Sequence, residues 1–233
     1  NPMVVRIAGY GYQRGFGGHF HNDDAVAVLR DIPGIVVASP SRPDDATAML
    51  RTCVASALLD GSVCVVLEPI ALYHTREMLE AGDGGWLAPY APPELWRDSH
   101  VPIGRARTHG NGRDLTIVTF GNGVRMSLRV ANLLAAKGVC TRVVDMRWLV
   151  PLPVDDVLRE ATATGRVLVV DETRRSGGVS EGVVTALVDG GYTGRLARVA
   201  SADSFVPIGP AAELVLLSEA EILSAAQALV DEA

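Results

Sequence analysis

The chain has 233 residues, a net charge of −6, and a single lysine, Lys137, among its 21 basic residues. Because Lys137 precedes Gly138 at the predicted end of a helix, the sequence excludes a G-K-[ST] phosphate loop and offers no other lysine for Schiff-base chemistry. The scattered arginines and the acidic balance argue against nucleic-acid binding, and no apolar run reaches the ~18 residues that a membrane span needs.

Short apolar strands alternate with helices in the first third of the chain. This alternation predicts a parallel sheet that is covered on both faces. A loop rich in glycine and histidine over residues 9–22 follows the first strand, and Asn22 is the predicted N-cap of the first helix. The predicted strands are 3–8, 35–38 and 63–67, and the predicted helices are 23–30 and 41–59.

The periodicity disappears between residue 68 and about residue 102, where proline and glycine are frequent. So long an irregular stretch predicts an interdomain crossing or a partner-binding segment. The alternation then resumes for ~130 residues, which is the size of a complete domain. The strands predicted there are 114–120, 139–145, 166–171 and 195–200, and the helices are 123–136, one after Pro153, 178–189 and 218–231.

The three cysteines, Cys53, Cys64 and Cys140, each lie in an apolar run and lack metal-ligand spacing. We predict that all three are reduced, buried thiols. That usage is typical of a cytoplasmic protein.

The loop sequence GGHFHNDD at 17–24 allows three interpretations. Functional loops of parallel sheets lie beyond the carboxyl ends of the strands, and histidine titrates near neutral pH, so a catalytic histidine facing a cofactor is one of them. A metal site built from His19 and His21 with Asp23 or Asp24 is the second. A helix cap with surface histidines is the third.

Three other motifs are weaker. Gly82-Asp83-Gly84 followed by Asn111 resembles the motif that holds magnesium and diphosphate in thiamin enzymes, but its context predicts a chance match. The sequence FGNG at 120–123 favours a tight turn into a helix over a nucleotide site. The sequence VDETRRSGG at 170–178 predicts either an anion site at the next helix or an interface salt-bridge patch.

An ordered set of segments then extends along the chain: HNDDA at 21–25, DIPGIVVASP at 31–40, DDA at 44–46, VVLE at 65–68, VPIGRA at 101–106, VVDMRWLVPL at 143–152 and GRVLVVDE at 165–172. Together these segments resemble the beta-subunit half of thiamin-dependent 2-oxo acid dehydrogenases. The resemblance implies an α/β fold in two parts. Residues 1–95 are expected to form the rear of a transketolase-like pyrimidine-binding domain with a linker, and residues 96–233 a complete, doubly wound transketolase C-terminal domain.

Enzymes of this family decarboxylate a 2-oxo acid on thiamin diphosphate and pass the acyl group to the lipoyl arm of a dihydrolipoyl acyltransferase. The resemblance implies that His21 is the catalytic residue near the reactive carbon of the cofactor, and that His19, Phe20 and Asn22 line the same cavity. It also implies thiamin diphosphate and Mg²⁺ in the complete enzyme, an alpha-type half or subunit, a homo-oligomer and a cytoplasmic location. We expect no metal ligand in this chain, and the charge balance and the lack of a long apolar run predict no nucleic-acid or membrane partner.

Two departures from the family qualify these expectations. Asn22-Asp23 stand where the family has Ser-Gln, and the glutamate that activates the cofactor lies upstream of the matched residues. From the abrupt, strand-like start we expect the C-terminal part of a longer chain that neither binds the cofactor nor turns over alone. The substrate remains open between pyruvate, branched-chain 2-oxo acids and acetoin.

Three alternatives stay open at this point. They are a non-catalytic assembly or dimerisation module, another transketolase-like thiamin enzyme, and a metal hydrolase that uses His19 and His21.

Overall fold

The computed structural model describes residues 1–12 and 23–231 and contains two sheets of mainly parallel strands. The first sheet is built from short apolar runs that alternate with helices, as the sequence predicts. Its elements in chain order are β1 (Met3–Gly9), α1 (Val26–Arg30), β2 (Ile35–Ala38), α2 (Pro43–Asp60) and β3 (Val63–Pro69).

The second half of the chain repeats this alternation. Its elements are β4 (Arg107–His109), β5 (Leu115–Thr119), α3 (Asn122–Ala135), β6 (Thr141–Asp145), β7 (Trp148–Val150), α4 (Val154–Thr164), β8 (Arg166–Arg174), α5 (Val179–Asp189), β9 (Arg195–Ser201) and α6 (Glu219–Asp231). The α/β prediction is confirmed.

The strand order is β1-β3-β2-β7 in the first sheet and β4-β6-β5-β8-β9 in the second. Strands β4 and β7 pair antiparallel with their neighbours, and the other pairs are parallel. The sequence did not predict β4 or β7, because a three-residue strand carries too little periodicity to be recognised.

Alternate residues along the strands divide the core into layers. In β3, Cys64 and Val66 face α2, whereas Val65 and Leu67 belong to a cluster shared with the second sheet. That shared cluster includes Val118 of β5 and also contains residues of α4 and α5. The opposite face of the second sheet packs against α3 and α6. Both sheets are therefore covered on two sides, as the parallel pairing requires.

Strand β7 connects the two halves, because it comes from the second half but pairs with β2 of the first sheet. Arg147, whose φ of +62° turns the chain into β7, donates to both carboxylate oxygens of Asp45 at 2.6 and 3.0 Å. Trp148 is fully buried and packs with Met49 and Cys53 of α2.

The irregular segment between β3 and β4 lies partly along α3. Arg125 donates to the carbonyl of Glu77 at 2.9 Å, and Arg129 donates to the carbonyl of Met78 at 2.7 Å. The segment crosses between the two halves, as one of the two interpretations of the sequence proposes.

Two local predictions are wrong. Cys140 is exposed, because it lies in the turn that enters β6, while Cys53 and Cys64 are buried. Helix α1 begins at Val26, with Ala25 at its N-cap position, and not at residue 23 as predicted; Asn22, the predicted N-cap, lies outside the described residues. Lys137 follows the end of α3 as predicted and donates to Gln227 at 3.0 Å.

Removing the Trp148 side chain is expected to destabilise the fold strongly, because it leaves a large cavity beside α2. We expect Trp148→Ala to lower the free energy of unfolding by ~3–5 kcal/mol in urea titrations. Trp96→Ala, at a side chain that is 38% exposed, is the matched control and should cost much less. Equal losses from the two variants would contradict the role assigned to β7.

Candidate active site

The four residues predicted for the active site are His21, the catalytic candidate, and His19, Phe20 and Asn22, the cavity lining. All four lie outside the described residues, so their roles remain predictions. The structure does describe both flanks of this segment, residues 10–12 and 23–24. These flanks meet the second half of the chain at the carboxyl ends of β1, β5 and β8.

Tyr10 follows β1 and points into the junction between the sheets. Its hydroxyl lies 2.7 Å from the hydroxyl of Ser39, and its ring centroid lies 5.9 Å from that of Phe120. The side chain is fully buried, and this burial raises its pKa well above 10, with the Glu172 carboxylate adding to the shift. Tyr10 therefore stays neutral at physiological pH.

Glu172 lies in the same junction, near the end of β8. Its carboxylate accepts hydrogen bonds from the backbone N–H and the side-chain amide of Asn122, both at 2.7 Å. Gly121 has a φ of +54°, and a Cβ there would collide with this carboxylate. The FGNG sequence thus forms the predicted tight turn into α3. This turn also binds the buried carboxylate of Glu172.

The Asp171 side chain binds a backbone N–H group at the N-terminus of α5. Its carboxylate accepts the N–H of Ser180 at 2.6 Å and the N–H of Thr173 at 2.8 Å. The N-terminus of α5 is therefore capped by the chain itself. This finding disfavours the anion site proposed for 170–178 and favours the interface patch, because Arg174 pairs with Asp23 at 2.5 Å.

Asp24 is the third buried acid of the junction, after Glu172 and Asp171. Its Oδ1 atom has no hydrogen-bond partner among the residues that the structure places. Burial raises the pKa of Asp24 to about 8, and the neighbouring Asp23 carboxylate adds to this effect while Arg174 opposes it. Burial likewise raises the pKa of Glu172 well above its usual range, although its bonds from Asn122 lower it.

We call Tyr10, Asp24, Asn122, Asp171 and Glu172 the junction cluster. Two of its carboxyls favour the protonated form near neutral pH, and such groups can donate a hydrogen bond or a proton to a neighbour. Sequence reasoning had singled out the segment 170–178, which contains Asp171 and Glu172. It missed their pairing with Asn122 and the burial of Asp24, because both depend on contacts between distant parts of the chain.

The magnesium–diphosphate interpretation of 82–84 does not fit the structure. The Asp83 carboxylate accepts the backbone N–H groups of Met78, Leu79, Glu80 and Gly85 at 2.7–2.9 Å, so it closes a local turn. Within residues 1–12 and 23–231 there is no group of three His, Cys, Asp or Glu side chains suited to a metal ion. No helix in these ranges is both long and apolar enough to cross a membrane.

Comparisons with known proteins agree with this architecture. The family model for the transketolase C-terminal domain matches residues 104–224. The chain is 30% identical to the pyruvate dehydrogenase E1 component subunit beta of Bacillus subtilis, an alignment that covers 99% of this chain and 66% of the relative. The same subunit of Staphylococcus aureus is also 30% identical, over 91% of this chain and 62% of the relative.

Solved structures show the same fold at lower identity. A chain described as "Split gene transketolase, inactive beta4 tetramer" superposes with a TM-score of 0.71 at 23% identity, covering 97% of this chain and 65% of the other. A transketolase mutant from Pichia stipitis gives a TM-score of 0.60 at 15% identity, over 98% of this chain and 30% of the other.

The chain belongs to the transketolase C-terminal domain family, and along nearly its whole length it is similar to pyruvate dehydrogenase E1 beta subunits. It spans 66% of the length of the Bacillus subtilis relative.

The buried Asp24 carboxyl makes stability depend on pH. The folded chain keeps this proton up to about pH 8, whereas the unfolded chain releases it near ~4, so the free energy of unfolding falls as pH rises between those values. Asp24→Asn removes this loss. We expect the variant to unfold at a higher temperature than wild type above pH 8 and at a similar temperature near pH 4.

The exposed Asp31→Asn serves as the control for this measurement, since it removes a carboxylate outside the junction. A stability difference between Asp24→Asn and wild type that does not change with pH would contradict a protonated, buried Asp24.

Proposed function

We propose that this chain is the beta-type part of the thiamin-dependent decarboxylating component of a 2-oxo acid dehydrogenase complex. The observation that carries the proposal is the match to pyruvate dehydrogenase E1 beta subunits over 99% of the chain. The activity is that of an oxidoreductase that acts on pyruvate, a branched-chain 2-oxo acid or acetoin. The acyl group passes to the lipoyl arm of a dihydrolipoyl acyltransferase.

In this proposal His21 is the catalytic residue, and His19, Phe20 and Asn22 line its cavity. An imidazole titrates near neutral pH, so His21 can hold or release a proton while the acyl group is transferred. The buried acid Asp24 follows His21 by three residues in the sequence, and the buried acid Glu172 belongs to the same junction cluster as Asp24. Thiamin diphosphate supplies the electron sink for decarboxylation when it is bound.

In this proposal Mg²⁺ and the diphosphate are held by an alpha-type half or subunit, as the resemblance to the family implies. The Asp83 carboxylate is engaged in its own turn, so it is not free to bind a magnesium ion there. We also propose that the two domains comprise residues 1–95 and 96–233 and that the protein is cytoplasmic.

An oligomeric assembly is supported by apolar side chains on the outer face of α2. Val54, Leu58 and Leu59 are all exposed, and the last two are exposed by 76% and 84%. Exposed apolar patches on soluble proteins mark interaction sites. The same patch supports the second candidate function, a non-catalytic assembly or dimerisation module.

The 233-residue chain alone is expected to release no CO₂ from the 2-oxo acids, and no acetaldehyde from acetoin, when thiamin diphosphate and Mg²⁺ are added. The reason is that, in this proposal, the diphosphate site is contributed by the partner. The complete enzyme, meaning the full encoded protein with its alpha-type partner, is the positive control in the same assays. Turnover by the isolated chain would refute this division of labour.

Replacing the proposed catalytic histidine separates the enzyme from the assembly module. In the complete enzyme, assayed against a panel of 2-oxo acids and acetoin, we expect His21→Ala to reduce acyl transfer to a lipoyl domain by ~10²–10⁴-fold. The melting temperature should stay close to that of wild type, since the change concerns a proton-transfer group.

His74→Ala, at an exposed histidine after β3, is the matched control and should retain full activity. A large loss of thermal stability with transfer intact would assign His21 a structural role. A wild-type enzyme inactive on the whole panel would favour the assembly module, and bound zinc in elemental analysis would favour a metal hydrolase.

A further inference from the structure

Both flanks of the segment that carries His21 are attached to the second half of the chain. On the entry side, the Tyr12 hydroxyl donates to the carbonyl of Leu217 at 3.0 Å. Beside it, Gly11 lies so close to Leu216 and Val206 that a Cβ at Gly11 would be only 2.8 Å from Leu216. On the exit side, the Arg174 guanidinium pairs with Asp23 at 2.5 Å.

The exit-side anchor is itself fixed in place. The Nε atom of Arg174 donates to the carbonyl of Ser204 at 3.0 Å, and the guanidinium lies 5.4 Å from the centroid of the Phe205 ring. Arg174 is aligned with Ser201 of β9, just after the pairing of β8 and β9 shifts register. Its side chain is 24% exposed and that of Asp23 is 27% exposed, so the ion pair is largely shielded from water.

One serine connects the two anchors. The Ser201 hydroxyl donates to the carbonyl of Glu172 at 3.0 Å and accepts the N–H of Leu217 at 3.1 Å. The carbonyl that receives Tyr12 and the strand end that carries Arg174 are therefore held together. The second half of the chain thus holds both flanks through residues that the Ser201 hydroxyl links by hydrogen bonds.

We propose that Arg174 is a positioning residue that fixes the exit of the His21 segment for acyl transfer. This inference rests on the proposed function, since it assigns His21 to the reaction. Asp23 is two residues from His21 in the sequence, so we expect the loss of the Arg174–Asp23 ion pair to affect the reaction through the chain that joins them. Small misplacements of a reacting group cost large factors in rate. Arginine suits this position because its planar fork donates to Ser204 and Asp23 together.

The test uses the complete enzyme with two assays, transfer to a lipoyl domain and oxidation by a small artificial acceptor. We expect Arg174→Gln to lower kcat for lipoyl transfer at least ~5-fold, the scale of one lost charge-assisted hydrogen bond, with little change in KM for the 2-oxo acid or in artificial-acceptor activity. A merely structural defect would lower both activities together.

Two further variants sharpen the test. Asp23→Asn should give the same loss of lipoyl transfer as Arg174→Gln, because each variant removes the same Arg174–Asp23 ion pair. The double variant should therefore lose no more activity than either single variant. Arg175→Gln removes the neighbouring positive charge, whose exposed side chain forms no salt bridge with the described residues, and should behave as wild type. Unchanged transfer in Arg174→Gln, or additive losses in the double variant, would overturn the proposal.

Hydrogen exchange separates this proposal from the proposed function. Amides in the peptide covering residues 13–22 should exchange faster in Arg174→Gln than in wild type or Arg175→Gln, whether or not the enzyme turns over. An inactive wild type with faster exchange in Arg174→Gln would refute the 2-oxo acid activity but retain the anchor. An active wild type with unchanged exchange and transfer in Arg174→Gln would refute the anchor alone.

Discussion

The structure depends on a hydrophobic cluster that the two sheets share. Val65 and Leu67 of the first sheet contact this cluster from one side, and Val118 and Val169 of the second sheet contact it from the other. Residues of α4 and α5 belong to the same cluster, so the two sheets bury that face together with these helices. The two sets of strand ends are therefore fixed against each other, and only this arrangement brings Tyr10 close to Phe120.

The position of the strand ends has an electrostatic consequence. Glu172 and Asp24 come from opposite halves of the chain and are both buried, and burial raises both pKa values. Arg174 is the cation that lowers the pKa of Asp24, and it does so while holding Asp23. The carboxyls of Asp24 and Glu172 therefore favour the protonated form at the junction. Both flanks of the segment 13–22 are held at the same place, and these two properties suit the wall of an active site.

The sequence predicted what is local. Strands such as 35–38 and the helix ending before Lys137 follow from apolar runs and breaker residues, and the segment order carried the family resemblance. Strand β7 was missed because three residues carry too little periodicity and its pairing with β2 is non-local. Cys140 was misjudged because an apolar neighbourhood in sequence does not guarantee burial. The junction cluster was missed because its members come from separate elements, while His21 itself stays a sequence-based prediction.

We propose that this chain forms part of an enzyme that acylates a lipoyl group. The direct measurement is the mass of a lipoyl domain after incubation with the complete enzyme, thiamin diphosphate, Mg²⁺ and each substrate of the panel. We expect the mass of the oxidised lipoyl domain to increase by one acyl group and one hydrogen with at least one substrate, because the lipoyl disulfide opens to a thioester and a thiol, and not to increase when the cofactor is omitted. An unmodified lipoyl domain with every substrate would contradict it.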